Sequence, residues 1–179
     1  NTATDTQTIT VQDGTAPTLS VPDDKTVECT ASIGTDEMGI ATGDNSCAFV
    51  PDTRRRLLEI SWPVTSVDIT YTDSFATSCG NAGVLTRTWV ATDDCGITTT
   101  QAQTITVRDS TPPTFVSVPS DGSEECPAYP SAPIDATAQD SCGVVSVAHA
   151  DVEIQGDCGM TQTVIRTWTA TDECLNPAN

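Results

Sequence analysis

Apolar and polar positions alternate along much of this chain. Thr8-Ile9-Thr10-Val11 and Thr104-Ile105-Thr106-Val107 place a β-branched apolar residue at every second position, the period of a half-buried strand. The segments Thr86 to Ala91 and Ile165 to Ala170 are Thr-rich and β-prone. Leu57 to Trp62 reads as a further strand, and Val144 to Val152 is strand-like around the single histidine, His149. Pro, Gly, Asp and Ser interrupt the pattern every ten residues or so, and no long stretch has helical spacing. Short strands separated by such turn signals predict an all-β chain of sandwich type.

The pattern occurs twice. Gln7-Thr-Ile-Thr-Val-Gln-Asp13-Gly-Thr-Ala-Pro-Thr-Leu19 returns as Gln103-Thr-Ile-Thr-Val-Arg-Asp109-Ser-Thr-Pro-Pro-Thr-Phe115. Glu28-Cys29 returns as Glu125-Cys126, and Asp44-Asn-Ser-Cys47 as Asp140-Ser-Cys142. Arg87-Thr-Trp-Val-Ala-Thr-Asp-Asp-Cys95 returns as Arg166-Thr-Trp-Thr-Ala-Thr-Asp-Glu-Cys174. Four matched blocks in one order make a repeat of the size of an immunoglobulin-like unit. The expected fold is two tandem immunoglobulin-like β-sandwiches, stapled by disulfides. The first copy also carries an insertion between Cys47 and Cys79 that the second lacks.

Composition narrows the function. There are 25 acidic side chains against 7 basic ones, a formal net charge of -18. Such a surface does not suit a phosphate lattice or anionic lipid, so neither nucleic acid nor a membrane is an expected partner. No apolar run approaches a membrane span, no leader-type segment opens the sequence, and it reads as part of a mature chain. Only 4% of residues are aromatic, yet 8 are cysteine. An even set of regularly placed cysteines marks a small oxidised fold, and hence an extracellular or cell-surface location.

The blocks Asp44-Asn-Ser-Cys47, Arg87-Thr-Trp-Val-Ala-Thr-Asp-Asp-Cys-Gly96 and Gln103-Thr-Ile-Thr-Val-Arg-Asp-Ser-Thr-Pro-Pro113 resemble hyalin-type (HYR-like) repeats. The likeness spans nearly the whole chain outside residues 48–66. It implies immunoglobulin-like modules in tandem in long extracellular proteins, bacterial surface adhesins among them, and no enzymatic activity. Leu175 departs from the pattern by standing where Gly96 stands in the other copy, so the last turn is expected to differ.

The copies are out of phase with the sequence. Residues 1–12 match the last strand (G) of a preceding repeat, residues 13–109 form a first repeat, and residues 110–179 form a second that lacks its last strand. The segment Thr8, Ile9, Thr10, Val11 is therefore expected to complete the second repeat of a neighbouring unit, head to tail, by strand exchange or by chain continuity.

The cysteines lack the paired Cys-x-x-Cys spacing of a zinc site. Four per repeat allow three connectivities. With Cys29 and Cys79 placed at one end of a sandwich and Cys47 and Cys95 at the other, the expected pairs are Cys29–Cys79, Cys47–Cys95, Cys126–Cys158 and Cys142–Cys174. Acidic side chains converge near one domain end: Asp13, Asp44 and Asp93 in the first copy, Asp109, Asp140 and Asp172 in the second. Hard oxygen ligands on loops suit calcium, and the same residues equally serve as turn formers. No other cofactor is expected. Trp89 and Trp168 are expected in the core. Arg87 and Arg166 need acidic partners if buried, for which Glu28 and Glu125 are nearest. Arg54, Arg55 and Arg56 are a candidate docking patch for an acidic face of a neighbouring copy or an anionic glycan, the alternative being a solvated loop leading into the strand at Leu57 to Trp62. With one histidine and no nucleophile motif, the chain is not expected to be an enzyme. The reading is a structural unit of an extracellular filament or stalk that associates with copies of itself. The alternative is an adhesive, glycan- or protein-binding module of a long surface protein.

Overall fold

The computed structural model describes residues 1–8, 10, 12–45, 66–125, 135–157, 159 and 161–176. Among these the chain is all-β, with ten strands and one helical turn, α1 at Thr35–Met38. The first copy supplies β1 (Thr18–Ser20), β2 (Lys25–Glu28), β3 (Thr42–Asp44), β4 (Asp68–Cys79), β5 (Ala82–Thr92) and β6 (Thr98–Arg108). The second supplies β7 (Thr114–Ser117), β8 (Thr137–Gln139), β9 (Val145–Gln155) and β10 (Gln162–Asp172). The expected strands around Thr86, Thr104, Val144 and Ile165 all form. Residues 8 and 10 belong to no strand and are exposed. The strand expected at 57–62 lies outside the described residues.

Four sheets result. β2, β6, β5 and β4 make a four-stranded sheet in that order, while β1–β3, β7–β8 and β10–β9 are two-stranded. β2 runs parallel to β6, with Lys25 opposite Ile105 and Glu28 opposite Arg108. In the second copy the residues matching β2, Gly122 to Glu125, are described but form no strand. The difference follows from pairing. A strand of four residues needs a ladder to hold it, and no counterpart of β6 is present beside 122–125 among the described residues.

By contact the chain divides into two compact units. One holds residues 1–24, 34–74 and 86–104; the other holds 25–33, 75–85 and 105–179. The division cuts across the sequence repeat, because β2, the β4–β5 turn and the end of β6 belong with the second copy.

In the first unit, Leu19 of β1 packs with Ala41 and with Trp89 and Ala91 of β5, and Val21, Val67 and Ile69 lie partly buried against them. The alternation in β5 places Leu85, Arg87, Trp89 and Ala91 on the buried face. Arg87 is buried there, and its partner is Asp73 of β4 rather than the expected Glu28. Nε and Nη2 of Arg87 donate to the two carboxylate oxygens of Asp73, each at 2.8 Å. The guanidinium also stacks over Tyr71, 4.7 Å from the ring centroid, and Tyr71 packs on Trp89 at 5.0 Å. An adjacent strand reaches a buried side chain more directly than a strand end does, which decides the partner. Glu28 instead takes Arg108 and Ser110, each at 2.8 Å.

The second unit shows the same rule. Arg166 donates to Asp151, at 2.7 and 2.6 Å, and not to the expected Glu125. Asp151 is its cross-strand neighbour in the β9–β10 ladder. Trp168 sits opposite His149, with ring centroids 5.0 Å apart. It is only half-buried, whereas Trp89 is 2% exposed. Full core burial thus holds for Trp89 alone.

The turns after β5 and β10 are alike, contrary to the expectation at Leu175. Gly96 has φ +81° and Leu175 has φ +67°. Each donates its amide to the carbonyl of the strand-end aspartate, Gly96 to Asp93 at 3.0 Å and Leu175 to Asp172 at 3.2 Å. The aspartate side chains impose this turn by accepting the amide four residues on, Ile97 or Asn176, both at 2.8 Å. Leu175 adopts the left-handed conformation that its Cβ disfavours, at about 1–2 kcal/mol.

Candidate functional site

Cys29, Cys79, Cys142 and Cys174 and the acids Asp109, Asp140 and Asp172 all lie in the second unit, whereas Asp13, Asp44, Asp93 and Cys95 belong to the first. The parallel pairing of β2 and β6 puts Cys29 beside the exit of β6, with its amide donating to the Arg108 carbonyl at 2.9 Å. From there the linker 109–113 leads directly into β7. The β4–β5 turn arrives at the same place. Gly80, at φ +50°, lies so close to Cys142 that a Cβ would stand 2.6 Å from its carbonyl oxygen. Asn81 donates its amide to that same carbonyl at 2.7 Å. Only glycine satisfies both the φ and the approach.

The result is two bridges between the copies, Cys29–Cys142 and Cys79–Cys174, with Cα separations of 5.7 and 5.2 Å. The expected pairs Cys29–Cys79 and Cys142–Cys174 are not formed. Cys29 does not open a strand on the inner part of a sandwich; it follows a strand that runs beside β6. It therefore meets the next copy. Sequence separations of 113 and 95 make each bridge worth about 4–5 kcal/mol when counted singly in the chain-entropy account. Cys95 is a free, exposed thiol, and its expected partner Cys47 lies outside the described residues. The Cys95 pKa is pushed up by partial desolvation and then by the charges of Asp13, Asp93 and Asp94. Cys47, Cys126 and Cys158 lie outside the described residues, and so does the proposed pair Cys126–Cys158.

The acids of the second copy come together much as their spacing suggests. Carboxylate oxygens of Asp109 and Asp140 lie within 4.8 Å of each other and of the Cys142 sulfur. That sulfur is committed to the bridge with Cys29. Asp140 closes a turn by accepting the Cys142 amide at 2.6 Å, and Asp109 accepts that of Thr111 at 3.1 Å. Burial raises the Asp109 pKa, and the charges of Asp140, Asp172 and Glu28 raise it further, outweighing the Thr111 hydrogen bond. Asp172 is buried at the end of β10. In the first copy the set is different. Thr18 pairs with Asp44 in the β1–β3 ladder, as Thr114 pairs with Gln139 in β7–β8. Asn45, and not Asp44, is therefore the counterpart of Asp140, and its Nδ2 reaches Asp13 at 3.4 Å. Counting forward from Asp44 missed this. Counting back from the cysteines, Cys47 and Cys142, finds it.

The remaining expectations divide by location. Thr8 and Thr10 are exposed, while Ile9, Val11 and the patch Arg54, Arg55, Arg56 lie outside the described residues. Among the described residues no helix is long and apolar enough to cross a membrane. Two disulfides are compatible with an extracellular protein. No family model and no curated protein matches the chain.

Proposed function

We propose that this chain is a structural unit of an extracellular filament or stalk, built from tandem immunoglobulin-like sandwiches of hyalin type and without catalytic activity. One observation carries the reading: Cys29–Cys142 and Cys79–Cys174 each tie a residue of the first sequence copy to a residue of the second. A protein that recognises a ligand through one sandwich has no need of covalent junctions between sandwiches. A stalk that must hold its length under load does, and it needs an oxidising compartment to keep them.

Units extend head to tail by strand addition at the edge of β10. β5 has β6 on one side and β4 on the other, whereas β10 has β9 alone among the described residues. Residues 5–12 repeat the sequence of β6 around Thr104-Ile105-Thr106-Val107. Placed on the open edge of β10 in a neighbouring unit, they would satisfy its backbone groups and bury Ile9 and Val11. The register follows from the alternation, since a one-residue slip turns both side chains to solvent.

A peptide of residues 5–12 tests this, whether units are separate chains or one continuous polypeptide. Added to the whole protein, it should slow hydrogen exchange at the outward amides of β10, and an Ile9→Asp, Val11→Asp peptide should not. Unaltered exchange at saturating peptide would remove the strand-addition reading.

A further inference from the structure

The second copy keeps residues whose counterparts hold β6 in the first. Val21-Pro-Asp-Asp24 leads into β2, and Val118-Pro-Ser-Asp121 leads into residues 122–125 in the same way. In the first copy this segment grips β6 near its middle. The Thr104 amide donates to Oδ1 of Asp24 at 2.7 Å. The fully buried Gln103 donates through Nε2 to the carbonyls of Asp23 and Met38, at 3.0 and 3.1 Å. β2 then follows β6 in parallel register, from Lys25 beside Ile105 to Glu28 beside Arg108. In the second copy the same segment is bare. Val118 is 51% exposed, whereas Val21 packs on the core, and residues 119–125 are exposed and form no strand.

The two residues that β6 offers to this grip recur as well. Gln103-Thr104 matches Gln7-Thr8, at the head of the segment that repeats β6. Gln7 and Thr8 are exposed and belong to no strand. Residues 7–8 and residues 120–121 thus each retain one half of a contact that the first copy shows complete.

We infer that residues 120–125 are the second edge of the receiving site for residues 5–12 of a neighbouring copy. The donor segment enters between them and β10, pairs with β10 on one side, and draws 122–125 into a parallel strand on the other. Asp121 accepts the Thr8 amide, and Gln7 gives its side-chain amide to the Ser120 carbonyl. Ser123 then stands beside Thr10 and Glu125 beside Gln12, as Thr26 stands beside Thr106 and Glu28 beside Arg108. A donor paired along both edges has its amides and carbonyls satisfied, and the four-residue segment gains the ladder that a short strand needs. Asp121 is a positioning residue. Successive amides of a strand point to opposite edges, so a slip of one residue would leave its carboxylate facing no amide. This second edge rests on the strand-addition reading, yet it is a separate demand, since β10 alone can receive a donor.

The test uses the whole oxidised protein, kept dilute, with the peptide of residues 5–12 and a second form of it in which an ester replaces the Thr8 amide. Bound amide peptide should slow hydrogen exchange within residues 122–125 as well as in β10. Asp121→Ala should weaken the amide peptide about 10-fold, the worth of one hydrogen bond to a carboxylate. It should leave the affinity of the ester peptide, already lower on the wild type, unchanged. The sign is informative, because the peptide carries Asp5 and no cationic side chain. A carboxylate acting through its charge alone would repel the peptide, and Asp121→Ala would then bind it more tightly. The exposed Asp157→Ala should alter neither affinity. Protection of β10 without 122–125 would overturn the second edge and leave strand addition standing. So would tighter binding by Asp121→Ala, or an equal change for both peptides. Protection of neither segment at saturating peptide would overturn both.

Discussion

β5 and β10 share the run Arg-Thr-Trp-x-Ala-Thr-Asp, yet they live in different surroundings. Toward the aspartate end they agree: Ala91 and Ala170 are both 0% exposed, and Asp93 and Asp172 are both buried. Toward the other end they part. Leu85, Arg87 and Trp89 are buried in β5, whereas their counterparts in β10, Val164, Arg166 and Trp168, are only half-buried. β5 has strands on both sides, and β10 has one among the described residues. The alternation of a strand says which face turns inward. How much of that face is covered depends on neighbours the strand does not encode.

The tryptophans sharpen this most. Trp89→Ala should cost about 3–5 kcal/mol, the value for a fully packed aromatic, and Trp168→Ala about half of that or less. Chemical denaturation of both variants decides, and equal losses would mean that β10 is as enclosed as β5. Next come the bridges. Replacing Cys29 and Cys142 together by Ser should cost about 2–5 kcal/mol. Non-reducing peptide mapping should return Cys29 with Cys142, Cys79 with Cys174, and Cys95 as a thiol. Recovery of Cys29 with Cys79 would break the covalent link between the copies, and the proposed function with it.

The two arginine pairs give a smaller contrast. Arg87 is 3% exposed in its side chain and Asp73 34%, while Arg166 and Asp151 are 23% and 25% exposed. Asp73→Ala strands a buried guanidinium and should cost about 2 kcal/mol, below the full buried-pair value because Asp73 is partly solvated. Asp151→Ala should cost clearly less, because solvent screens that pair. The pairs also predict a pH effect. Hydrogen bonding from Arg87 holds the Asp73 pKa below its ordinary value. Its stabilisation is therefore complete above the unfolded-state pKa and is lost as pH falls through the lower, folded one. Asp73→Asn should flatten the acid limb of the stability curve; an unchanged limb would sever the pair from stability.

The smallest effect lies at the turn. Leu175 is 78% exposed and buries little, so Leu175→Gly should relieve the left-handed strain and raise stability by about 1 kcal/mol. Gly96→Leu should lower it by a similar amount. A destabilising Leu175→Gly would mean that the two turns are not equivalent.

The strands, the repeat and the acidic turns were legible in the sequence because each depends on residues close together in the chain. A period of two shows a strand's faces, and an aspartate at a strand end closes its own turn on the amides that follow. Even the counterpart of Asp140 was there to be read from the position of Cys47. The cysteine partners were not, because a bridge forms between whichever sulfurs the fold brings within reach, and that is decided by β2 lying parallel to β6 and by the Gly80 turn resting on Cys142. The same holds for Arg87, whose acid comes from the adjacent strand and not from the residue beside a cysteine. It holds also for residues 122–125, which match β2 in place and have no ladder to join among the described residues. Local chemistry shapes each segment, and only the packing of distant segments supplies its partners.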